Sequence, residues 1–182
     1  MKDVNGDGVV DANDRVVVDG AYPKYTYSFG MNVGYKNFNL SAFFQGVNGL
    51  KNRVENWGID PFMQGTAPTT EWRNAWTPEN RSNELPGIYV AGYQGVANYK
   101  GSTYYLRDAT YLRLKNVMLS YDVPSDWIQS AKLKGAQVYI SADNLFTITD
   151  YKGSDPERAS TSGNYAQYPQ ARIFNIGASI RF

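Results

Sequence analysis

Near its amino end the chain carries oxygen-bearing side chains at a spacing that suits a hard divalent cation. Asp3, Asn5, Asp7, Val9, Asp11 and Asp14 occupy positions 1, 3, 5, 7, 9 and 12 of a calcium loop of the EF-hand type. Gly8 takes the sixth position, where such a loop turns sharply. Ca²⁺ takes six to eight oxygens, and four carboxylates, one amide and the Val9 carbonyl can supply them. Position 12 is Asp instead of the bidentate Glu, and no amphipathic helix precedes the loop. The spacing therefore points to a structural Ca²⁺ clip rather than a sensor. Two other readings stay open on the residues alone: a polar loop held by its own Asx turns, and Mg²⁺ or a functional switch.

A second cluster lies in residues 47–110, where Trp57, Trp72 and Trp76 stand with Tyr89, Tyr93, Tyr99, Tyr104 and Tyr105 among Asn, Arg and Gly. Flat rings beside amide and guanidinium groups suit a sugar, whose C–H faces stack while its hydroxyls find polar partners. The three tryptophans are thus candidate ligand-facing residues; the same rings also suit the small core that so long a loop needs to hold a shape. Glu55, Asp60, Glu71, Glu79 and Glu84 show no spacing that fixes an acid and base pair for glycoside hydrolysis, and read as solvated loop charges. The chain has no cysteine and no histidine. Ser/His/Asp and Cys/His catalysis, thiol zinc sites and disulfides are excluded, and the protein is expected not to be an enzyme. A net charge of +1 without any Lys/Arg-rich run argues against nucleic acid as a partner.

The elements that must position these residues read as β-strands. Over the last eleven residues Phe174, Ile176, Ala178, Ile180 and Phe182 alternate with Asn175, Gly177, Ser179 and Arg181. Upstream, Tyr25, Tyr27, Phe29, Met31, Val33 and Tyr35 alternate with Thr26, Ser28, Gly30, Asn32 and Gly34. Lys36 and Asn37 make a tight turn into Phe38, Leu40, Ala42 and Phe44, so these two strands form a hairpin. A third strand spans roughly residues 111–123, with Val117, Leu119, Tyr121 and Val123 on one parity and Leu112 and Leu114 on the other. That change of phase near Asn116 predicts a bulge. Ala136, Val138, Ile140 and Ala142 mark a fourth strand. Short helices are expected after Ser125 and after Thr70 as caps, with Trp72 and Trp76 on one helical face.

Eleven residues at about 3.3 Å each, tilted by about 45°, cover roughly 25 Å, the height of an outer-membrane apolar band. No run of 18 apolar residues occurs, so a transmembrane helix is not expected, and no signal peptide is seen. Tyr, at 15 copies against 8 Phe and 4 Trp, suits positions with one wet and one apolar end. The connections alternate between short and long, with long loops at about 47–110 and 147–171, as in bacterial barrels with short periplasmic turns and long extracellular loops. With the carboxyl terminus in the periplasm, strands one, three and five run inward and two and four outward. On pattern alone a soluble antiparallel sandwich competes with this barrel, because half-buried strands alternate there too.

The order of several short motifs decides between them. Asp3-Val4-Asn5-Gly6-Asp7-Gly8-Val9-Val10-Asp11, Tyr22-Pro23-Lys24-Tyr25-Thr26-Tyr27 and Phe44-Gln45-Gly46 are followed by Trp76-Thr77-Pro78-Glu79-Asn80. Tyr111-Leu112-Arg113-Leu114-Lys115-Asn116-Val117, Ser141-Ala142-Asp143-Asn144-Leu145-Phe146, Tyr151-Lys152-Gly153-Ser154-Asp155-Pro156-Glu157 and the terminal Phe182 complete the series. In this order, over essentially the whole chain, they resemble the carboxyl-terminal end of SusC/RagA-like TonB-dependent outer-membrane transporters of Bacteroidota. The calcium loop alone is similar to dockerin-type loops.

The resemblance implies an all-β, antiparallel transmembrane β-barrel segment, about the five final strands of a 22-stranded barrel with an internal plug. Residues 1–24 would be an extracellular loop with the calcium site, and 25–182 the carboxyl-terminal part of the barrel. It further implies import of oligosaccharides or peptides, a SusD-like surface lipoprotein as lid, and coupling to the TonB complex through parts upstream of this chain. The location would be the outer membrane of a Gram-negative bacterium, in contact with outer-membrane lipid, and Phe182 would resemble the signal read by the barrel assembly machinery. Five strands cannot close such a barrel, so the chain is expected to be a fragment. The competing reading is a secreted, calcium-stabilised β-sandwich that binds glycans.

Overall fold

Alternating side chains make a sheet only where the backbone finds partners, and here the partners follow the chain in order. The computed structural model describes residues 3–9, 11–54, 60–62, 67–88, 103–158 and 168–182. Its strands are β1 (Tyr25–Tyr35), β2 (Phe38–Asn48), β3 (Lys51–Arg53), β4 (Leu106–Asp108), β5 (Tyr111–Asp122), β6 (Gly135–Thr149) and β7 (Ile173–Arg181). All pairings between them are antiparallel. One four-residue helix, α1 (Ser125–Ile128), lies between β5 and β6. The chain divides into two compact units.

The larger sheet, in the unit formed by Pro23–Gly49, Thr110–Asp150 and Gln170–Phe182, has the order β1-β2-β5-β6-β7. Its register lines up one face without interruption. Phe29 lies opposite Phe44, which lies opposite Leu114, which lies opposite Phe146. Val33, Leu40, Leu119, Ile140 and Ile176 form a second row across all five strands. The rings of Phe29 and Phe44 stack at 4.6 Å, and Phe38 and Tyr121 meet at 4.7 Å. The opposite face holds Ser28, Asn32, Ser41, Gln45, Asn116, Ser141, Asn175 and Ser179 with a few larger side chains such as Phe43 and Tyr139. The apolar face is exposed, Ile176 by 86%, where a sandwich would bury it. The sandwich reading fails on this point, since each Ile or Phe left in water forgoes about 1.5–3 kcal/mol.

The bulge expected near Asn116 is present. The register between β2 and β5 slips between Phe43 and Phe44, and that between β5 and β6 between Leu114 and Asn116. The slip moves Leu112 and Leu114 onto the same face as Val117, Leu119 and Tyr121, which keeps the apolar face continuous through the change of phase. Three expectations need correction. β2 continues through Val47 and Asn48, and β6 runs to Thr149, so the long connections begin later than 47 and 147. The bulge breaks the alternation at Asn144 and Leu145, which hides the far half of β6 from a period-two reading. The caps also differ: Ser125 and Thr70 are first residues of their turns, Pro124 and Thr69 stand in the cap positions, and neither makes a side-chain cap bond.

All strand ends of this sheet fall into two sets. The turn at Lys36 and Asn37, the connection 123–134 and the end of β7 share one end: Phe38 pairs with Tyr121 and Gly135 with Arg181. Lys36 adopts a left-handed φ of 52°, as two-residue hairpin turns require, and Asn37 Nδ2 donates to the Asp122 carbonyl at 2.8 Å. Asp122 in turn accepts from Gln137 Nε2 at 2.8 Å and Asn39 Nδ2 at 2.9 Å.

The other unit, Met1–Tyr22, Leu50–Ala109 and Tyr151–Pro169, is built from long-range polar anchors around a small core. β3 pairs with β4, and Val54, Ala109 and Tyr151 cluster with Leu50 packed against them. Tyr105 is fully buried and donates its hydroxyl to Asp60 Oδ1 at 2.7 Å. Asn52 Nδ2 donates to the Pro156 carbonyl across 104 residues of sequence. Asp155 accepts from the Glu157 N–H, making a turn whose Asp155 and Pro156 are buried rather than displayed.

Among the glycines of the sheet, Gly46 meets a neighbouring backbone most closely. A Cβ there would lie 2.6 Å from the Tyr111 carbonyl oxygen and 2.6 Å from the Tyr27 ring. At Gly177 the nearest obstacle is the far end of the Tyr139 ring, a side chain and not backbone. Thermal unfolding in detergent of the full-length protein that contains this chain is expected to show Gly46→Ala destabilised by about 1–3 kcal/mol and Gly177→Ala by less. Equal effects would contradict the close backbone approach at Gly46.

Candidate functional site

The amino-terminal loop folds on the donors that the sequence singled out. Gly6 and Gly8 adopt left-handed φ of 79° and 82°, which glycine alone accepts without strain. Asp3 accepts from the Gly6 N–H at 2.6 Å and the Gly8 N–H at 2.8 Å; Asp7 accepts from the Val9 N–H at 2.8 Å. Asn5 accepts from the Asp7 N–H at 3.0 Å, and Asp11 caps the 3₁₀ turn Ala12–Asp14. Asp14 closes the loop by accepting from the Asp11 N–H at 2.8 Å and, ten residues back, the Val4 N–H at 2.7 Å. These bonds, foremost that from Asp11, hold the Asp14 carboxyl below its ordinary value of 3.8 against an opposing desolvation. The closure is therefore fully present above that value and is lost as pH falls through the lowered one.

The loop offers hard oxygen donors of the kind that Ca²⁺ takes. The carboxylates as placed are turned to backbone N–H groups, and among the described residues no three acidic side chains converge to hold a metal. Calcium would require Asp3, Asp7, Asp11 and Asp14 to turn toward one point, with Asn5 and the Val9 carbonyl completing the shell.

The aromatic candidates separate. Trp57 lies outside the described residues. Trp72 is buried within the 3₁₀ turn Thr70–Asn74, while Trp76 is 41% exposed. The two do not share a helical face, because Ala75 between them is extended and bridges to Leu85. Trp76-Thr77-Pro78-Glu79-Asn80 forms a closed turn: Thr77 N–H donates to the Asn80 carbonyl and Asn80 N–H to Thr77 Oγ1, each at 2.9 Å. Trp72 is thus spent on packing, and Trp76 keeps an accessible ring on a fixed turn. Of the loop carboxylates, Asp60 is buried against Tyr105, and Glu71, Glu79 and Glu84 are exposed. Glu55 lies outside the described residues.

The polar face of the five-stranded sheet carries a network that the sequence reading passed over. Arg113 is only 3% exposed; its Nε donates to Thr147 Oγ1 at 2.8 Å, and its guanidinium lies 5.5 Å from the Tyr111 ring centre. One step along, Asn116 Nδ2 donates to Asp143 Oδ1 at 2.7 Å. Asn144 adopts a left-handed φ of 52° and donates from Nδ2 to the Ala171 carbonyl at 3.0 Å. The segments 111–117 and 141–146, two of the motifs read from sequence, therefore meet across the bulge. The only signal for this pairing in the sequence was the phase change at Asn116. Phe182 follows β7 and is exposed.

A sheet with one apolar and one polar face, buried polar groups on the second, and no helix among the described residues long and apolar enough to cross a membrane has the make-up of a membrane-barrel wall. No family model matches the chain. Among curated proteins, TonB-dependent receptor P3 of Formosa agariphila is 30% identical over 99% of this chain and 18% of its own length. TonB-dependent receptor P26 of the same organism is 31% identical over 99% of the chain and 19% of its length. TonB-dependent receptor SusC of Bacteroides thetaiotaomicron is 28% identical over 99% of the chain and 17% of its length. Among solved structures, the RagAB peptide transporter matches with a TM-score of 0.75 and 28% identity, covering 91% of this chain and 18% of that one. The chain thus spans less than a fifth of each of these relatives. Over nearly its whole length the chain is thus similar, in sequence and in fold, to the SusC/RagA-like TonB-dependent outer-membrane transporters, as a carboxyl-terminal segment of their barrel.

Proposed function

We propose that this chain is the part of a TonB-dependent importer in which β1, β2, β5, β6 and β7 form membrane wall, and that the whole protein takes up oligosaccharides or peptides with a SusD-like lipoprotein as lid. The observation that carries the reading is the unbroken apolar face across five strands, exposed on one side of a sheet whose other side is polar. The outer edges of β1 and β7 have no strand partner among the described residues. In hydrocarbon an unpaired backbone group costs several kcal/mol, so both edges pair with further strands of a closed barrel. The solved relative is named as a peptide transporter, which supports the peptide alternative, and Trp76 suits either ligand class.

The orientation follows from connection length: the end with the Lys36 turn and Phe182 is periplasmic, and residues 1–24 and the long connections are extracellular. Phe182 then serves as the assembly signal. Ca²⁺ held by the loop from Asp3 to Asp14 stiffens an extracellular segment and takes no part in transport.

Affinity purification of the full-length protein from its native outer membrane is expected to bring down a surface lipoprotein, with bound oligosaccharide or peptide identifiable by mass spectrometry. Purification of a monomer free of both would overturn the import reading. Ile176→Arg places a charge at mid-strand on the apolar face and is expected to cost about 2–4 kcal/mol, so that its outer-membrane level falls sharply. Deletion of Phe182 is expected to lower the level too, whereas Asn175→Arg on the polar face leaves it near normal; equal levels for the two arginine variants would sink the assignment of faces. Calorimetric titration of the purified protein with CaCl₂ is expected to show uptake that Asp7→Ala removes. Absence of uptake would leave the loop as a set of Asx turns.

A further inference from the structure

We propose that the short-connection end of the sheet seats itself in a headgroup layer of anionic phospholipid. The inference rests on the membrane reading above and goes beyond it by assigning a lipid charge class to one end. At that end the apolar face finishes in aromatic rings: Tyr35 beside the turn, and Phe38 against Tyr121 at 4.7 Å. α1 adds Trp127, which is 70% exposed although it stands on a turn pinned at both ends, Trp127 N–H donating to the Pro124 carbonyl and Lys134 N–H to the Arg181 carbonyl. An exposed indole held in place next to the margin of an apolar band suits the layer where hydrocarbon gives way to headgroups.

Charge on the two connections is one-sided. Residues 36–37 and 123–134 contain Lys36, Lys132 and Lys134 against the single carboxylate of Asp126. All three lysines are exposed. Lys36 carries its ammonium 5.4 Å from the Tyr35 ring centre, and Lys132 holds a left-handed φ of 56° at the close of the turn after α1. Asp122, the acidic residue that ends β5, already accepts from Gln137 and Asn39 on the polar face of the sheet. Cations beside interfacial rings attract anionic headgroups, and each lysine near such a surface is worth on the order of a fivefold preference.

The test uses the full-length protein in phosphatidylcholine vesicles doped with an equal small fraction of brominated phosphatidylglycerol or brominated phosphatidylcholine. Trp127 emission is isolated by subtracting a Trp127→Phe variant. Both lipids are expected to quench Trp127, the phosphatidylglycerol more steeply by about fivefold or more. Lys36→Gln, Lys132→Gln and Lys134→Gln in combination are expected to equalise the two slopes while leaving quenching intact. A variant combining Trp127→Phe with Ile176→Trp reports separately on membrane insertion, through the indole it places at mid-strand of β7. If that introduced indole is quenched and Trp127 is not, or if both lipids quench Trp127 equally, the inference is overturned and the membrane reading stands. If the introduced indole is not quenched, the membrane reading itself falls.

Discussion

Every backbone N–H and C=O in a hydrocarbon layer must find its partner within the protein, and the five-stranded sheet is organised by that requirement. β2 and β5 are paired along both sides and β6 along both as far as Asp143, and the register keeps apolar side chains on one face and mostly polar ones on the other. Because the side-chain period is two, one inserted residue would turn half of each strand inside out. The slip in register at Phe43, Leu114 and Asn144 prevents this: Lys115 on one strand and Asn144 with Leu145 on its neighbour absorb the difference. Beyond the slip Leu112, Phe146 and Ile148 continue the face that Val117 and Ala142 began.

The same slip organises the polar face. It sets Asn116 against Asp143 and Arg113 against Thr147, and it gives Asn144 the left-handed backbone from which its amide reaches Ala171. Asparagine tolerates that conformation better than any branched residue would. Polar groups shielded from solvent on this face are satisfied by one another, which rigidifies a wall that has only its neighbours to lean on.

Much of this was legible in the sequence because it is local and periodic. β1, the Lys36 turn and the start of β2 follow from strict alternation around a two-residue connection, and the phase change in β5 announces the bulge. The far half of β6 was not legible, since the bulge breaks the pattern that identifies a strand. The second unit was hidden for a different reason. Its anchors join Tyr105 to Asp60 and Asn52 to Pro156, pairs 45 and 104 residues apart, and no local period encodes them. The amino-terminal loop shows a third limit: its spacing announces the turns at Gly6 and Gly8, whereas the carboxylates of Asp3 and Asp14 are turned to backbone N–H groups, which spacing alone does not encode. The tryptophans parted because Ala75 is extended, a single backbone choice that a helical reading of Trp72 and Trp76 could not foresee.

The central claim is that one face of this sheet meets lipid and the other does not. Single nitroxide labels placed in turn along β7 of the full-length protein in bilayers, with accessibility to molecular oxygen measured against that to a water-soluble nickel chelate, test it most directly. High oxygen accessibility at Phe174, Ile176, Ala178 and Ile180, alternating with low oxygen accessibility at Asn175, Gly177 and Ser179, is the result the account predicts. An oxygen profile without a period of two, or one with its maxima on the polar residues, would contradict it.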